Sequence, residues 1–196
     1  YYRVPDRSAI RILDIGCGTG CLSWYVAREG FSAYGIDGSA VGLSLARQRF
    51  AREGLQGQFV QGDFTEGLPF PDEHFDATLD GAAINHNPPD AVARALQEVH
   101  RVLKPGGRHF GIMFASGCTG EGSGRLIARN TYMEITTGPL RGPWPVLFAD
   151  EAQVRELFSM FPSLALDRQS YSDANGTITF HQWLVTASKE SPHHVL

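Results

Sequence analysis

Short apolar segments alternate with helical patterns up to residue 114, and this alternation is the strongest constraint on the fold. Strand-like runs lie at residues 10–15, 32–37, 58–61, 75–79 and 108–114, and helical patterns at 21–29, 39–53 and 88–103. Strands and helices that alternate in this way favour a parallel sheet with helices on both faces. We therefore predict an α/β, Rossmann-like, doubly wound fold.

The pattern changes after residue 114. Residues 115–148 contain six glycines and three prolines, with loose helical spacing around residues 125–135. Asp150 is a candidate N-cap for a helix at 151–160. Residues 163–169 and 177–187 alternate like an antiparallel pair, joined through Asn175-Gly176. We predict one domain over residues 1–196, in which residues 115–148 form a substrate lid inserted after the fifth strand.

The composition limits the classes of partner. The 196 residues carry a formal net charge of −4 without a dense basic cluster, which argues against a nucleic-acid partner. No apolar run reaches the 18 residues of a membrane span, and no secretory signal is visible. The three cysteines lack zinc-ligand spacing, so no metal site is expected. We expect a cytoplasmic monomer or homodimer.

The first strand leads through residues 14–20 (DIGCGTG) into a glycine-rich loop that begins at Gly16. Glycines at this turn let a ligand approach the backbone at the carboxyl edge of the sheet. The dinucleotide fingerprint G-x-G-x-x-G needs its third glycine one residue later than Gly20. Asp14 lies directly before the loop, where a carboxylate would repel a pyrophosphate and attract a cation. The loop therefore favours a ligand that carries an ammonium and a sulfonium.

Carboxylates also follow the second and third strands. Asp37 ends the second strand, where a carboxylate can accept both hydroxyls of a ribose. Asp63 and Phe64 follow the third strand, and this pair suits the amino group and the ring of an adenine. Asp37 alone is equally typical of a helix cap or a turn, and Asp63 alone is more typical of a turn. The conjunction at successive strand ends nevertheless indicates a nucleoside site.

Together, these motifs resemble the class I S-adenosylmethionine-dependent methyltransferases of the small-molecule type, the methyltransferase type 11 and type 25 group. The resemblance covers residues 8–114 and rests on DIGCGTG, GIDGS, GDF with LPF, FDATLD and LQEVHRVLKPGG. It implies S-adenosylmethionine as cofactor and a small-molecule methyl acceptor. It also implies a seven-stranded sheet whose last strand is antiparallel, in agreement with the C-terminal strand pair.

The resemblance also implies roles for individual residues. Asp14 would reach the ammonium of the cofactor, and Asp37 would hold the ribose. The expected cofactor contacts are Asp14, Gly16, Cys17, Gly18, Asp37, Gly38, Ser39, Asp63, Phe64, Asp80 and Gly81. Gly38 departs from the family, which commonly has a bulky apolar residue there that packs on the adenine.

His86, in the loop after the fourth strand, is the candidate catalytic base, since an imidazole titrates near neutral pH. The alternative is that His86 packs against the cofactor or caps the next helix. His181 is expected to be structural, and His100 and His109 to lie at the surface. In the insertion, Tyr132, Met133, Trp144 and Phe148 are candidates to line an acceptor pocket or to form the core of the lid, and Arg125, Arg129 and Arg141 to neutralise an acidic acceptor.

Two other classes of function stay open. A nicotinamide-dependent oxidoreductase shares the ribose carboxylate, although the early third glycine and Asp14 disfavour it. A non-catalytic subunit that binds S-adenosylmethionine would keep the same motifs.

Overall fold

The computed structural model describes residues 6–189, which build one large sheet, one small sheet and four α-helices. The strands are β1 (Arg11–Ile15), β2 (Ser32–Asp37), β3 (Gly57–Gln61), β4 (Phe75–Asp80), β5 (Leu103–Phe114), β6 (Arg125–Ala128), β7 (Thr131–Met133), β8 (Val146–Leu147), β9 (Ser163–Asp173) and β10 (Ile178–Ser188). The helices are α1 (Cys21–Arg28), α2 (Ala40–Glu53), α3 (Pro89–Val102) and α4 (Glu151–Leu157).

The large sheet has seven strands in the order β3-β2-β1-β4-β5-β10-β9. Strand β10 is antiparallel to both of its neighbours, and the other six run in one direction. The order reverses at β1, so the loops after β1 and β4 flank the crevice where open α/β sheets bind ligands. The predicted Rossmann-like sheet with an antiparallel last strand is confirmed.

Both faces of the sheet are covered, as expected for a doubly wound fold. On one face, Ile12 of β1 packs in a cluster with Val26 of α1 and Phe50 of α2. On the other face, Leu13 joins a larger cluster that includes Val99 of α3. Successive β1 residues thus enter opposite layers, because side chains alternate across a strand.

The helix ends follow the capping signals in the sequence. The Ser39 hydroxyl accepts a hydrogen bond from the backbone N–H of Gly42 (3.0 Å), and α2 ends where Gly54 adopts a φ of +65°. Asp150 accepts a hydrogen bond from the N–H of Gln153 (2.7 Å) at the start of α4. Side-chain caps of this kind satisfy N–H groups that have no partner inside the helix.

The segment between β5 and α4 contains a small antiparallel sheet of β6, β7 and β8. The helical spacing around residues 125–135 is therefore misleading, and the prediction of a loose helix there is wrong. Asn130 adopts a φ of +53°, a conformation that asparagine tolerates, and it closes the hairpin between β6 and β7. The segment is tied to the end of the large sheet by hydrogen bonds from Ala115 N–H to the His181 carbonyl and from Trp183 Nε1 to the Ala149 carbonyl.

His109 is buried, with 1% of its surface exposed, so the prediction of a surface histidine is wrong. It lies on β5 with its ring stacked on Phe158, and its Nδ1 lies 2.9 Å from Thr78 Oγ1. Burial lowers the pKa of His109 to about 4, so the ring is neutral at neutral pH. The strand pattern places this side chain in the helix-covered layer, where Thr78 supplies its polar partner.

We expect a Thr78→Val variant to lose about 1–3 kcal/mol of unfolding free energy, because His109 Nδ1 would be left buried without a partner. Urea denaturation measures this difference. Thr186→Val, at a partly exposed position of β10, is the matched control and should change stability by less than about 0.5 kcal/mol. Equal effects of the two substitutions would contradict a role for the buried hydrogen bond.

Candidate functional site

The loops after β1, β3 and β4 meet at the carboxyl edge of the large sheet. Gly16 adopts a φ of +64°, and a Cβ at this position would collide with the Cβ of Ala83 in the loop after β4. The same Cβ would lie 3.5 Å from the ring of Phe64, which follows β3. Glycine is needed at position 16 for both its backbone conformation and this close approach. The structure thus brings together three segments that the sequence analysis treated as one site.

Asp14 is buried and is held by the first turn of α1. Its Oδ2 accepts hydrogen bonds from the backbone N–H (2.9 Å) and the hydroxyl (2.6 Å) of Ser23. Burial raises the pKa of Asp14 to about 6, and the hydrogen bonds from Ser23 act in the opposite direction. Ser23 was missed in the sequence, although a serine on the otherwise apolar buried face of α1 was a usable signal.

Asp37, at the end of β2, is oriented by two backbone donors. Its Oδ2 accepts a hydrogen bond from Gly18 N–H and its Oδ1 accepts one from Ser39 N–H, both at 2.7 Å. The carboxylate is partly exposed, and each oxygen has a second lone pair for a further donor. This geometry fits the predicted ribose contact, because both oxygens are fixed in position and can still accept from hydroxyls.

Three other predicted cofactor contacts take distinct positions around Asp37. Cys17 is buried with its sulfur against Gly35 of β2, so its backbone, rather than its thiol, borders the loop. Ser39 uses its hydroxyl to cap α2. Gly38 is exposed, and a Cβ there would meet nothing within 4 Å. The space that a bulky residue would fill in related proteins is therefore open here.

Asp63 forms the turn after β3. Its Oδ1 accepts hydrogen bonds from the backbone N–H (2.9 Å) and the hydroxyl (2.7 Å) of Thr65. The carboxyl is exposed, and the neighbouring Phe64 is partly buried against the core. The turn interpretation of Asp63 is confirmed, and its Oδ2 stays available for the proposed adenine contact.

Asp80 ends β4 and holds the loop that carries His86. Its Oδ1 accepts hydrogen bonds from the backbone N–H groups of Ala83 (2.6 Å) and Ile84 (3.2 Å). Burial raises the pKa of Asp80 to about 7, and the nearby Asp14 adds to this effect. Asp80 pairs with Ile15 in the ladder between β1 and β4, so two buried carboxyl groups lie at the ends of adjacent strands. Gly81 follows as an exposed residue close to Leu22 of α1.

A cation would suit this carboxyl pair. Within residues 6–189, the groups that set the pKa values of Asp14 and Asp80 include no basic side chain. Burial is the main cause of both raised pKa values, and charge repulsion adds to it, from Asp37 at Asp14 and from Asp14 at Asp80. A ligand with a positive charge at this edge would stabilise both carboxylates.

His86 lies in a short 3-10 helix after β4, next to the insertion. Its ring is edge-on to Phe114 of β5, with 5.5 Å between ring centroids. Burial lowers the pKa of His86, and a hydrogen bond with the Pro145 carbonyl acts in the opposite direction. A cavity of about 420 Å³ is lined by His86, Pro139, Leu140 and Trp144. Pro139 and Leu140 were not predicted as lining residues.

Phe148 and the three arginine candidates of the insertion do not line this cavity. Phe148 is fully buried and packs on Phe114, so it forms part of the core of this segment. Arg125 forms an ion pair with Glu134 (3.3 Å). Arg129 forms ion pairs with Asp150 (3.0 Å) and Glu156 (3.3 Å), and Arg141 is exposed and does not line the cavity.

No group of three His, Cys, Asp or Glu side chains in residues 6–189 is placed to hold a metal ion. None of the helices in this part of the chain is long and apolar enough to cross a membrane.

Comparison with solved structures supports the fold. A protein of Methanosarcina mazei, described as a SAM-dependent methyltransferase, superimposes with a TM-score of 0.74 at 22% identity, over 91% of this chain and 92% of the other. At this identity the likeness shows the fold alone. The chain has the Rossmann-like fold of the S-adenosylmethionine-dependent methyltransferases.

Comparison with sequences identifies a methyltransferase domain. Residues 12–107 match the family model described as a methyltransferase domain. The chain is 39% identical over 116 residues to the ubiquinone/menaquinone biosynthesis C-methyltransferase of Rhodopseudomonas palustris, and 42% identical over 104 residues to the fatty-acid O-methyltransferase of Mycolicibacterium smegmatis. These matches cover 57% and 52% of this chain, but 45% and 36% of the two relatives, so the chain spans less than half of their length. Residues 12–107 are therefore a methyltransferase domain, and the chain resembles the S-adenosylmethionine-dependent methyltransferases.

The raised pKa of Asp80 predicts a pH dependence of stability. A carboxyl group whose pKa is higher in the folded than in the unfolded protein lowers the free energy of unfolding as the pH rises from the unfolded pKa to the folded pKa. In Asp80→Asn, the amide oxygen can still accept hydrogen bonds from Ala83 and Ile84. Relative to this variant, the wild type should lose about 2 kcal/mol of unfolding free energy between pH 5 and pH 8.

Denaturation of both proteins across this pH range measures the difference. Asp167→Asn, at an exposed position of β9, is the control and should follow the wild type at every pH. A pH-independent difference between wild type and Asp80→Asn would contradict the raised pKa.

Proposed function

We propose that the protein transfers the methyl group of S-adenosylmethionine to a small-molecule acceptor. The observation that carries this proposal is the meeting, at one sheet edge, of a glycine loop, an oriented carboxylate and two buried carboxyl groups without a cation. The loop and Asp37 suit a nucleoside, and the buried pair suits a positively charged ligand. The match of residues 12–107 to a methyltransferase domain supports the same ligand.

The residues fit the cofactor group by group. Asp37 would accept hydrogen bonds from the ribose hydroxyls, and Asp63 with Phe64 would contact the adenine. Asp14 and Asp80 would face the positively charged methionine end, with the backbone of Gly16, Cys17, Gly18 and Gly81 around it. Gly38 and Ser39 would border the ribose. When bound, the cofactor supplies a methyl group that is already activated on a positively charged sulfur.

The protein would then contribute alignment, exclusion of water and a base. Positioning two reactants in line accounts for a large part of the rate of a displacement reaction. His86 would accept a proton from an acceptor that must lose one, since it borders the cavity beside the loop that Asp80 holds. We propose that residues 115–148 cover this side of the site and bind the acceptor.

A nicotinamide cofactor fits less well. A pyrophosphate is an anion, and Asp14 with Asp80 would place two further negative charges beside the same loop. Calorimetric titration with S-adenosylhomocysteine and with NADH separates the two functions, and binding of NADH alone would overturn the proposal. Binding of S-adenosylhomocysteine without turnover of any acceptor would instead indicate a non-catalytic subunit.

We expect Asp37→Ala to weaken S-adenosylhomocysteine binding by about 100-fold, because two charge-assisted hydrogen bonds to the ribose would be lost. Calorimetry measures the affinity, and circular dichroism establishes that the variant is folded. Asp167→Ala, which removes an exposed carboxylate of β9, is the matched control and should leave the affinity unchanged. Unchanged affinity in Asp37→Ala would remove the ribose assignment.

The open space at Gly38 predicts a gain of affinity. Gly38 does not adopt the left-handed conformation, and nothing lies within 4 Å of a Cβ there, so a larger side chain fits. Gly38→Ile should tighten S-adenosylhomocysteine binding by about 3- to 10-fold, since the side chain would bury apolar surface against the adenine. Gly38→Ser is the control for the backbone and should show no gain. Weaker binding in Gly38→Ile would place the adenine elsewhere.

A further inference from the structure

Ser23 is a buried polar residue of α1 to which the proposed function gives no role. It lies with Val26 on the buried face of the helix, and 1% of its surface is exposed. Serine stabilises a helix interior less than alanine does, and a hydroxyl is costly to bury without a partner. The value of a serine at this position therefore lies in the hydrogen bond that its hydroxyl makes.

Ser23 donates twice to the same oxygen of Asp14. The Ser23 hydroxyl lies 2.6 Å from Asp14 Oδ2, and the Ser23 backbone nitrogen lies 2.9 Å from it. Gly20, the N-cap of α1, has no side chain that could accept from the first turn of the helix. The Ser23 N–H has no partner inside the helix, and Asp14 of β1 supplies one. The end of β1 and the start of α1 are thus joined through one carboxylate oxygen.

The second oxygen of Asp14 is left for a ligand. Within residues 6–189, Oδ1 accepts a hydrogen bond from no protein donor. It is also not among the fully enclosed polar atoms without a partner in this part of the chain, so some of its surface is open. A carboxylate turns readily about its Cβ–Cγ bond, because this torsion has broad minima. The two hydrogen bonds from Ser23 oppose this rotation and hold Oδ1 on the side away from Ser23.

Ser23 also supplies the interactions that favour a charged Asp14. Burial raises the pKa of Asp14 to about 6, repulsion from Asp37 adds to this effect, and the two hydrogen bonds from Ser23 lower the pKa. The other titratable groups that interact with Asp14 are carboxyl groups or thiols, namely those of Asp37, Asp80, Cys17 and Cys21. The guanidinium groups of Arg47 and Arg49 on α2 donate to other acceptors. Removal of the Ser23 hydroxyl would therefore raise the pKa of Asp14 further.

We infer that Ser23 is a positioning residue of the cofactor site, which holds the Asp14 carboxylate by Oδ2 and leaves Oδ1 for the ammonium group of the cofactor. This inference rests on the proposed function. A charged and oriented carboxylate binds an ammonium more strongly than a neutral or rotating carboxyl group, since hydrogen bonds between charged groups are the stronger ones. Ser23 thus acts on cofactor affinity through Asp14, and its effect grows as the pH falls, because Asp14 without the hydroxyl takes up a proton more readily.

The variant Ser23→Ala removes the hydroxyl and keeps the backbone N–H. We expect it to weaken S-adenosylhomocysteine binding by about 10-fold at pH 6 and by less than about 3-fold at pH 8, because protonation of Asp14 competes with the ammonium at the lower pH. Asp80 titrates in both proteins, so the ratio of their affinities reports on Asp14. Calorimetry at the two pH values measures this ratio.

A shorter ligand tests whether Ser23 acts through the ammonium contact. The probe is 5′-methylthioadenosine, which keeps the adenine, the ribose and the sulfur but lacks the ammonium and the carboxylate. Its affinity should be the same for wild type and Ser23→Ala. In Asp14→Asn, which has lost the carboxylate, adding Ser23→Ala should change S-adenosylhomocysteine affinity little, because two residues that act through one interaction are not additive.

Control variants separate positioning from effects on the helix. Ser44→Ala, at an exposed position of α2, gives the same gain in helix propensity and should leave S-adenosylhomocysteine affinity unchanged at both pH values. Ser23→Thr keeps a hydroxyl and should restore most of the affinity. Urea denaturation establishes that each variant is folded. If Ser23→Ala is unfolded, Ser23→Cys, whose thiol is a weak donor, replaces it and should show the same pH-dependent loss.

A measurement on the free protein separates this inference from the proposed function. NMR titration of the Asp14 carboxyl group should give a higher pKa in Ser23→Ala than in wild type. Unchanged affinity in Ser23→Ala, a loss that does not vary with pH, an equal loss for 5′-methylthioadenosine or an unchanged pKa of Asp14 would overturn the inference and leave the proposed function in place. Failure of the wild type to bind S-adenosylhomocysteine would overturn the proposed function itself, whatever the NMR titration shows.

Discussion

Two buried carboxyl groups lie at the ends of adjacent strands, and burial raises the pKa of both. Asp14 and Asp80 lie on β1 and β4, and each is held by backbone N–H groups of the segment that follows its strand. Buried negative charge is costly unless a proton or a cation accompanies it. Burial therefore raises the pKa of both carboxyl groups, and a positively charged ligand at this edge would lower them again.

The loops that follow the strands pack closely on one another, so the buried carboxyl groups are connected to the rest of the site. Gly16 and Ala83 approach so closely that any side chain at position 16 would separate the loops after β1 and β4. The hydrogen bond from Gly18 to Asp37 fixes the loop after β1 against the end of β2. The glycine loop, Asp37 and the segment that carries His86 thus form one connected unit rather than three independent contacts.

Much of the large sheet was predictable from the sequence, because its strands and helices follow strong local signals. The buried runs of β1 and β4, the Ser39 and Asp150 caps and the Asn175-Gly176 turn all led to elements that the structure contains. The expected cofactor contacts were chosen from short motifs at strand ends, and the structure brings these motifs to one edge of the sheet.

Other features depend on contacts between distant residues and could not be predicted in the same way. The apolar spacing at residues 125–135 is typical of a helix, but the segment forms a hairpin because β6 pairs with β7. His109 is buried because Thr78, 31 residues away, supplies a partner. The pairing of Asp14 with Ser23 and the placing of Pro139 and Leu140 beside His86 also arise from tertiary packing.

The division of the site between two parts of the chain has a consequence for how such a protein diversifies. Asp80 ends β4, and Ala83 and His86 lie in the loop that follows it, so under the proposed function a substitution there would disturb the binding of cofactor and acceptor together. The separate segment at residues 115–148 lines the cavity with Pro139, Leu140 and Trp144. Substitutions in this segment do not alter Asp14 or Asp80. Under the proposed function, substitutions in this segment would alter the choice of acceptor and leave the contacts to the cofactor in place.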